Sequence, residues 1–149
     1  MSPVVVKLIT AAISTFGFSI LFFVHPRRLP VATLGGVLTC GVYLLAVHLL
    51  GGELIPNMLG ALVGAGFSEI MARVTKTPVP VYMMPCIITL VPGSKLYATM
   101  FSIVTGDYAT ASAEGMCTLE IALGIAGGIV ISSVLAIIFR PWIRPRSNR

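Results

Sequence analysis

Pro92-Gly93-Ser94-Lys95 interrupts an apolar run that otherwise extends from Val79 to about Val104, and it is the stretch best suited to chemistry. Proline has no N–H and clashes with the preceding helical turn, while glycine can take dihedrals that let a chain change direction. A helix broken here leaves free backbone groups, with Ser94 as a natural N-cap for a second half-helix, Lys95 to Thr105. The N-terminus of such a half-helix carries unpaired N–H groups and a partial positive charge, to which Lys95 adds a full one. Lysine is not what the helix dipole prefers there, so binding of an anionic group would explain its placement. Tyr97, further along the half-helix, could offer a hydroxyl to a polar substrate or serve as an interfacial anchor. The competing reading is that Pro-Gly only kinks the helix and Lys95 snorkels to the surface.

Two carboxylates lie inside or near other apolar runs, Glu69 and Glu120. Charges within a membrane are costly and usually face a bundle interior, where they pair with cations or relay protons. Glu69 precedes Arg73 by four residues, the spacing of a helical ion pair. Glu120 has no basic residue three or four positions away, which makes it a candidate for proton coupling or for pairing with a cation elsewhere. The alternative for Glu120 is a place at the outer interface. His25 and His48 fall at the ends of apolar runs and read as interfacial residues.

The other familiar chemistries are missing from the sequence. No HExxH, GxSxG or phosphate-binding glycine loop is present, so neither metalloprotease, hydrolase nor ATPase chemistry has a basis. Cys40, Cys86 and Cys117 are far apart and embedded in apolar runs, without metal-ligand spacing. They read as small buried hydrophobes, and neither a metal nor a cofactor is expected.

Composition states what must hold these residues. The 149 residues are 56% hydrophobic and 10% charged, with a mean hydropathy of +0.99, against roughly 25% charged in soluble domains. A spanning helix needs about 20 apolar residues, so the chain reads as one all-α transmembrane domain, 1–149, with no soluble part. Spans are expected over 4–24, 31–50, 55–72, 79–105 (discontinuous at Pro92-Gly93) and 115–139. The first is longer than a signal-peptide core and is followed by Pro26-Arg27-Arg28 rather than a cleavage site. Gly106 to Glu114, rich in Ala, Ser and Thr, reads as the longest loop. Gly60 and Gly64 with Ala61 and Ala65, and Gly124 and Gly128 with Ala122 and Ala126, form small-residue faces for close helix packing, within the chain or between subunits.

The net charge of +5 reflects topology rather than nucleic-acid binding. Arg27 and Arg28, Arg73 and Lys76, and Arg140, Arg144, Arg146 and Arg149 all fall on one side if there are five spans. Glu53, Asp107 and Glu114 fall on the other. The excess of Lys and Arg in short cytoplasmic loops then puts the N-terminus outside and the C-terminus inside. Trp142 at the last boundary suits an aromatic anchor.

IITLVPGSKLYATM, from Ile87 to Met100, following Arg73, Lys76 and Pro78, resembles the C-terminal half of the threonine/serine exporter (ThrE) family, and in particular its small stand-alone YjjB-like form. The resemblance covers nearly the whole chain in length, span count and position of the VPGS element. It implies a subunit of a secondary exporter of small carboxylate metabolites, either threonine- and serine-like amino acids or dicarboxylates such as succinate. It further implies a bacterial inner membrane location and a YjjP-like membrane subunit that supplies the other half. An odd number of spans would make two such halves antiparallel, as in the inverted repeats of transporters. Pro92, Gly93 and Ser94 are the positions the resemblance carries; the roles of Lys95, Tyr97, Glu69, Arg73 and Glu120 rest on the physical argument alone. Proton coupling and a homo-oligomer are further expectations. The alternative function is a non-transporting subunit that stabilises a membrane complex, while an enzyme has no nucleophile and base to build on.

Overall fold

The computed structural model describes residues 3–138, so the expectations for Arg140, Trp142 and the arginines beyond them lie outside the described residues. Six α-helices follow one another, and no strand occurs among the described residues: α1 (Pro3–Leu21), α2 (Leu29–Leu50), α3 (Leu54–Thr75), α4 (Pro80–Ile87), α5 (Gly93–Val104) and α6 (Tyr108–Ile138). Short 3₁₀ turns precede α2 (Pro26–Arg28) and follow α4 (Ile88–Leu90). Four helices are long and apolar enough to cross a membrane by themselves, and α4 with α5 makes a bent pair that brings the number to five if the two count as one span.

Short connections make sequential helices antiparallel neighbours. The row runs α1, α2, α3, α6, α5, with α4 laid against α1, α2 and α3. Packing inverts the soluble pattern. Large apolar residues such as Ile13, Leu38, Leu45, Leu123 and Val134 face outward, as lipid requires, and the interior holds Thr15, Ser19, Thr39, Asn57 and Ser68. Four buried hydroxyls bond the carbonyl four residues earlier on their own helix, Thr15 to Ala11, Ser19 to Thr15, Thr39 to Gly35 and Ser68 to Gly64, whereas that of Tyr82 has no partner among the described residues. The four are thereby satisfied without claiming a partner on the next helix.

The small-residue faces are used inside the chain. A Cβ at Gly124 or Gly128 would run into the carbonyls of Leu54 and Met58 on α3, and one at Gly64 would strike Thr39 on α2. Backbones therefore meet directly across α3 and α6, the most extensive helix pair. Ala122 and Ala126 are exposed.

Arginines and a lysine gather at one end. α1 and α3 both close with a residue in the left-handed region, Phe23 (φ 55°) and Lys76 (φ 53°). In each, the next N–H reaches back five residues, Val24 to Ser19 and Thr77 to Ala72, the bonding that satisfies orphan carbonyls at a helix end. Arg28 joins the two turns by donating to Thr77 Oγ1 (2.7 Å) and to the Thr75 carbonyl (3.0 Å). Val24, Ala32, Ala72 and Tyr82 pack beneath it.

The other end departs from expectation. Residues 108–114, read from sequence as loop, are the first turns of α6, and the connection shrinks to Thr105, Gly106 and Asp107. Ala109, Ala111 and Ala113 favour helix, and Asp107 caps it by accepting from the Thr110 N–H (3.1 Å) and hydroxyl (2.6 Å). Those bonds, the hydroxyl's first, hold the exposed Asp107 carboxyl below the usual carboxylate range. A depressed value means that the cap contributes at neutral pH and is lost only as acid reaches that lowered value.

Gly128→Ala is expected to destabilise the detergent-solubilised protein by about 1–3 kcal/mol through overpacking. Gly17→Ala, where an added methyl meets nothing within 4 Å, should leave the unfolding temperature unchanged or slightly raised. Equal unfolding temperatures for the two variants would contradict the packing of α6 on α3.

Candidate functional site

The bent crossing is built by proline. Pro80 opens α4, Pro85 lies inside it, and the helix tightens to a 3₁₀ turn before stopping at Val91, which is extended (φ −60°, ψ 128°). Pro92 follows at φ −79°, ψ 51°, and the Gly93 N–H bonds the Val91 carbonyl at 2.8 Å. These are the marks of an inverse γ-turn centred on Pro92. It changes the helix direction by 54°.

Two sequence expectations are corrected here. Gly93 is not in the positive-φ region and a Cβ on it would meet nothing, so glycine's freedom is not what turns the chain. Ser94 is not the N-cap: α5 begins at Gly93, Pro92 occupies the cap position, and no side chain bonds the first turn. The physical reason is that the γ-turn already occupies the Gly93 N–H, so the first helical bond runs from Leu96 to the Pro92 carbonyl at 2.9 Å. The N–H groups of Ser94 and Lys95 have no acceptor among the described residues.

Those two residues face a cavity of about 170 Å³, lined also by Tyr43 from α2, Glu53 and Asn57 around the start of α3, Thr89 to Pro92 from the break, and Ile121 from α6. Asn57 is 2% exposed and its Nδ2 donates to the Glu53 carbonyl (2.7 Å), which leaves its Oδ1 without a bond among the described residues. Leu90 closes the floor, its methyls against Gly60. Lys95 Nζ lies 3.0 Å from Glu114 Oε2 on α6, across the α5–α6 hairpin. The cavity is smaller than the roughly 300–1,000 Å³ of drug-sized sites, and a cation, Lys95, and an anion, Glu53, both line it. A small molecule bearing both signs fits that pattern.

The remaining sequence candidates lie elsewhere. Tyr97 is 70% exposed and stacks on Phe101, two residues past Lys95 and so turned to the opposite side of α5. Glu69 and Arg73 form their helical pair (3.4 Å) far from the break, and Arg73 also donates to the Ala136 carbonyl (2.8 Å). They border a larger groove of about 300 Å³ between α3 and α6, lined mainly by Leu62, Ile70, Leu135 and Ala136. Glu120 is exposed on α6, beside cavity-lining Ile121 but facing away, and pairs with no cation among the described residues. Of the places that the sequence leaves open for Glu120 this is the outer one, because Ile121 and Gly124 take the packed side of the helix.

Glu53, Asn57 and Tyr43 escape a reading of the sequence alone. Glu53 reads there as a loop residue and Asn57 as one more position of a span, although an amide in the first turn of an apolar helix is itself a signal. Introduced in a variant lacking Cys117, Ser94→Cys is expected to react readily with a water-soluble maleimide, and Leu90→Cys, whose native residue is 5% exposed, is expected to resist it. Equal reactivity would show that the cavity does not open where the geometry puts it.

No curated protein and no solved structure matches the chain. A family model described as "Threonine/Serine exporter, ThrE" matches residues 7–135, from the first helix well into the last and through the break. With a match over that length, the chain is a member of the threonine/serine exporter (ThrE) family, whose members are transporters and not enzymes.

Proposed function

We propose that the chain exports a small zwitterionic hydroxy amino acid, threonine or serine, through the cavity at the break. The observation that carries this reading is a single cavity lined by groups of both signs: α5's N-terminus with Lys95, and Glu53 beside Asn57. A substrate carboxylate would take the free Ser94 and Lys95 N–H groups and the ammonium of Lys95. The substrate ammonium would face Glu53, and its hydroxyl the unbonded Asn57 Oδ1 or the Tyr43 hydroxyl. A dicarboxylate such as succinate satisfies α5's N-terminus with Lys95 and is repelled by Glu53, which ranks it second.

Transport without an ATPase motif must be passive or coupled to an ion gradient, and a proton gradient is the coupling proposed here. Arg27, Arg28, Arg73 and Lys76 cluster at the end opposite the cavity. That distribution supports a cytoplasmic basic end, in a bacterial inner membrane, with the N-terminus outside. The cavity then faces outward, as expected of a state that releases substrate.

A second, YjjP-like subunit completes the path in this reading. Gly93, Ser94 and Val91 are exposed on the chain by itself, yet irregular backbone at membrane depth must be covered by protein or water. Glu120, exposed on an apolar helix, offers such a partner a site for a basic residue.

Cells expressing both subunits are expected to release radiolabelled L-threonine, with a protonophore abolishing net efflux. Lys95→Ala should lower that efflux about tenfold or more at undiminished membrane insertion. Glu53→Gln should lower threonine efflux and raise that of succinate relative to it. Wild-type efflux from well-inserted Lys95→Ala would instead support the reading of the chain as an assembly subunit.

A further inference from the structure

Lys95 lines the cavity, but its ammonium is already engaged. Glu114 reaches from α6 to place Oε2 at 3.0 Å, and that oxygen is enclosed, with no hydroxyl or backbone donor against it among the described residues. The pair is tertiary rather than helical, since the residues stand on different helices of the hairpin. Glu114 does not itself line the cavity. Other ionisable groups near the pair are Glu53 at the head of α3, Cys117 and Glu120 on α6, and Tyr43 on α2, and none of them is a cation. A carboxylate entering the cavity to reach Lys95 therefore meets a carboxylate already there, of the same charge and hydrogen-bonding shape.

We propose that Glu114 is a tethered competitor for the substrate carboxylate, holding Lys95 while the cavity is empty and reclaiming it as substrate leaves. This rests on the reading of the cavity as the amino-acid site. The chemistry is an exchange of one carboxylate for another on a single ammonium, with no change in net protonation. A side chain fixed to the hairpin acts at an effective concentration in the millimolar range or above, so it weakens every ligand that needs Lys95. Low affinity suits a protein that must let go of a substrate on the far side. It also resolves an oddity of α5: a lysine in a helical first turn opposes the dipole, and Glu114 neutralises it in the empty state.

The test uses binding of radiolabelled L-threonine to membrane vesicles holding this chain together with its partner subunit. Glu114→Gln is expected to tighten threonine binding about tenfold and to slow its release, with Glu114→Asp intermediate because the shorter chain reaches Lys95 less well. L-threoninamide, which lacks the carboxylate, should bind wild type and Glu114→Gln alike. In a Lys95→Gln background, Glu114→Gln should no longer change threonine binding. A purely structural role for the pair would instead weaken both ligands together, and that result overturns the proposal. So does unchanged threonine affinity in Glu114→Gln with wild-type binding intact. Absence of threonine binding by wild type would remove the amino-acid reading itself, and this inference with it.

Discussion

A bilayer offers no water to an unpaired N–H or C=O, and a chain that breaks a helix within it must find another home for the freed groups. Most of this structure follows from how that demand is met at Val91, Pro92 and Gly93. The inverse γ-turn satisfies one carbonyl and one N–H at the break. What it leaves over are the N–H groups of Ser94 and Lys95, two residues that line a cavity. A kink of this kind in a water-soluble protein would be filled by solvent without consequence. Here the unmet hydrogen bonds stand beside that cavity, where protein or water must meet them.

Such a break needs rigid surroundings. α3 supplies them by packing at backbone distance against α6 through Gly124 and Gly128, and against α2 through Gly64. Close approach leaves no room for large side chains between the helices, so van der Waals contact and self-satisfied hydroxyls replace the apolar core of a soluble bundle. The opposite end is tied by Arg28 across two helix ends. In contrast, α5 packs chiefly on α6, and Ser102 is its only buried residue. The end that holds the cavity is therefore the less constrained one.

The spans, the break and the gathering of basic residues are legible in the sequence because each has a one-dimensional signature: hydropathy, a Pro-Gly pair, runs of arginine. Lys95 is legible as an odd residue in a helical first turn. Tyr97 parts from Lys95 because a residue two positions away is rotated about 200° around the helix, and sequence proximity hides that. Glu114 reads as a loop residue because Ala, Ser and Thr suggest a linker by composition, although alanine is the best helix former and Asp107 with Thr110 forms a cap. Glu53 and Asn57 have no sequence link to Lys95. Some forty residues separate them, and only the 54° bend brings α5 over the head of α3.

The length of α6 carries one further consequence. At 1.5 Å per residue its 31 residues extend about 46 Å, well beyond the roughly 30 Å hydrocarbon core. If Ile138 is set at one boundary, about twenty residues carry the helix to Leu119, level with cavity-lining Ile121. The turns before it, Thr110, Ser112, Glu114 and Thr118 among them, then stand in the headgroup layer. With that placement, hydrophobic mismatch would act at the mouth of the cavity. A thicker bilayer would then draw the Lys95–Glu114 pair toward hydrocarbon and a thinner one would leave it among the headgroups, so acyl-chain length would bear on the strength of that pair.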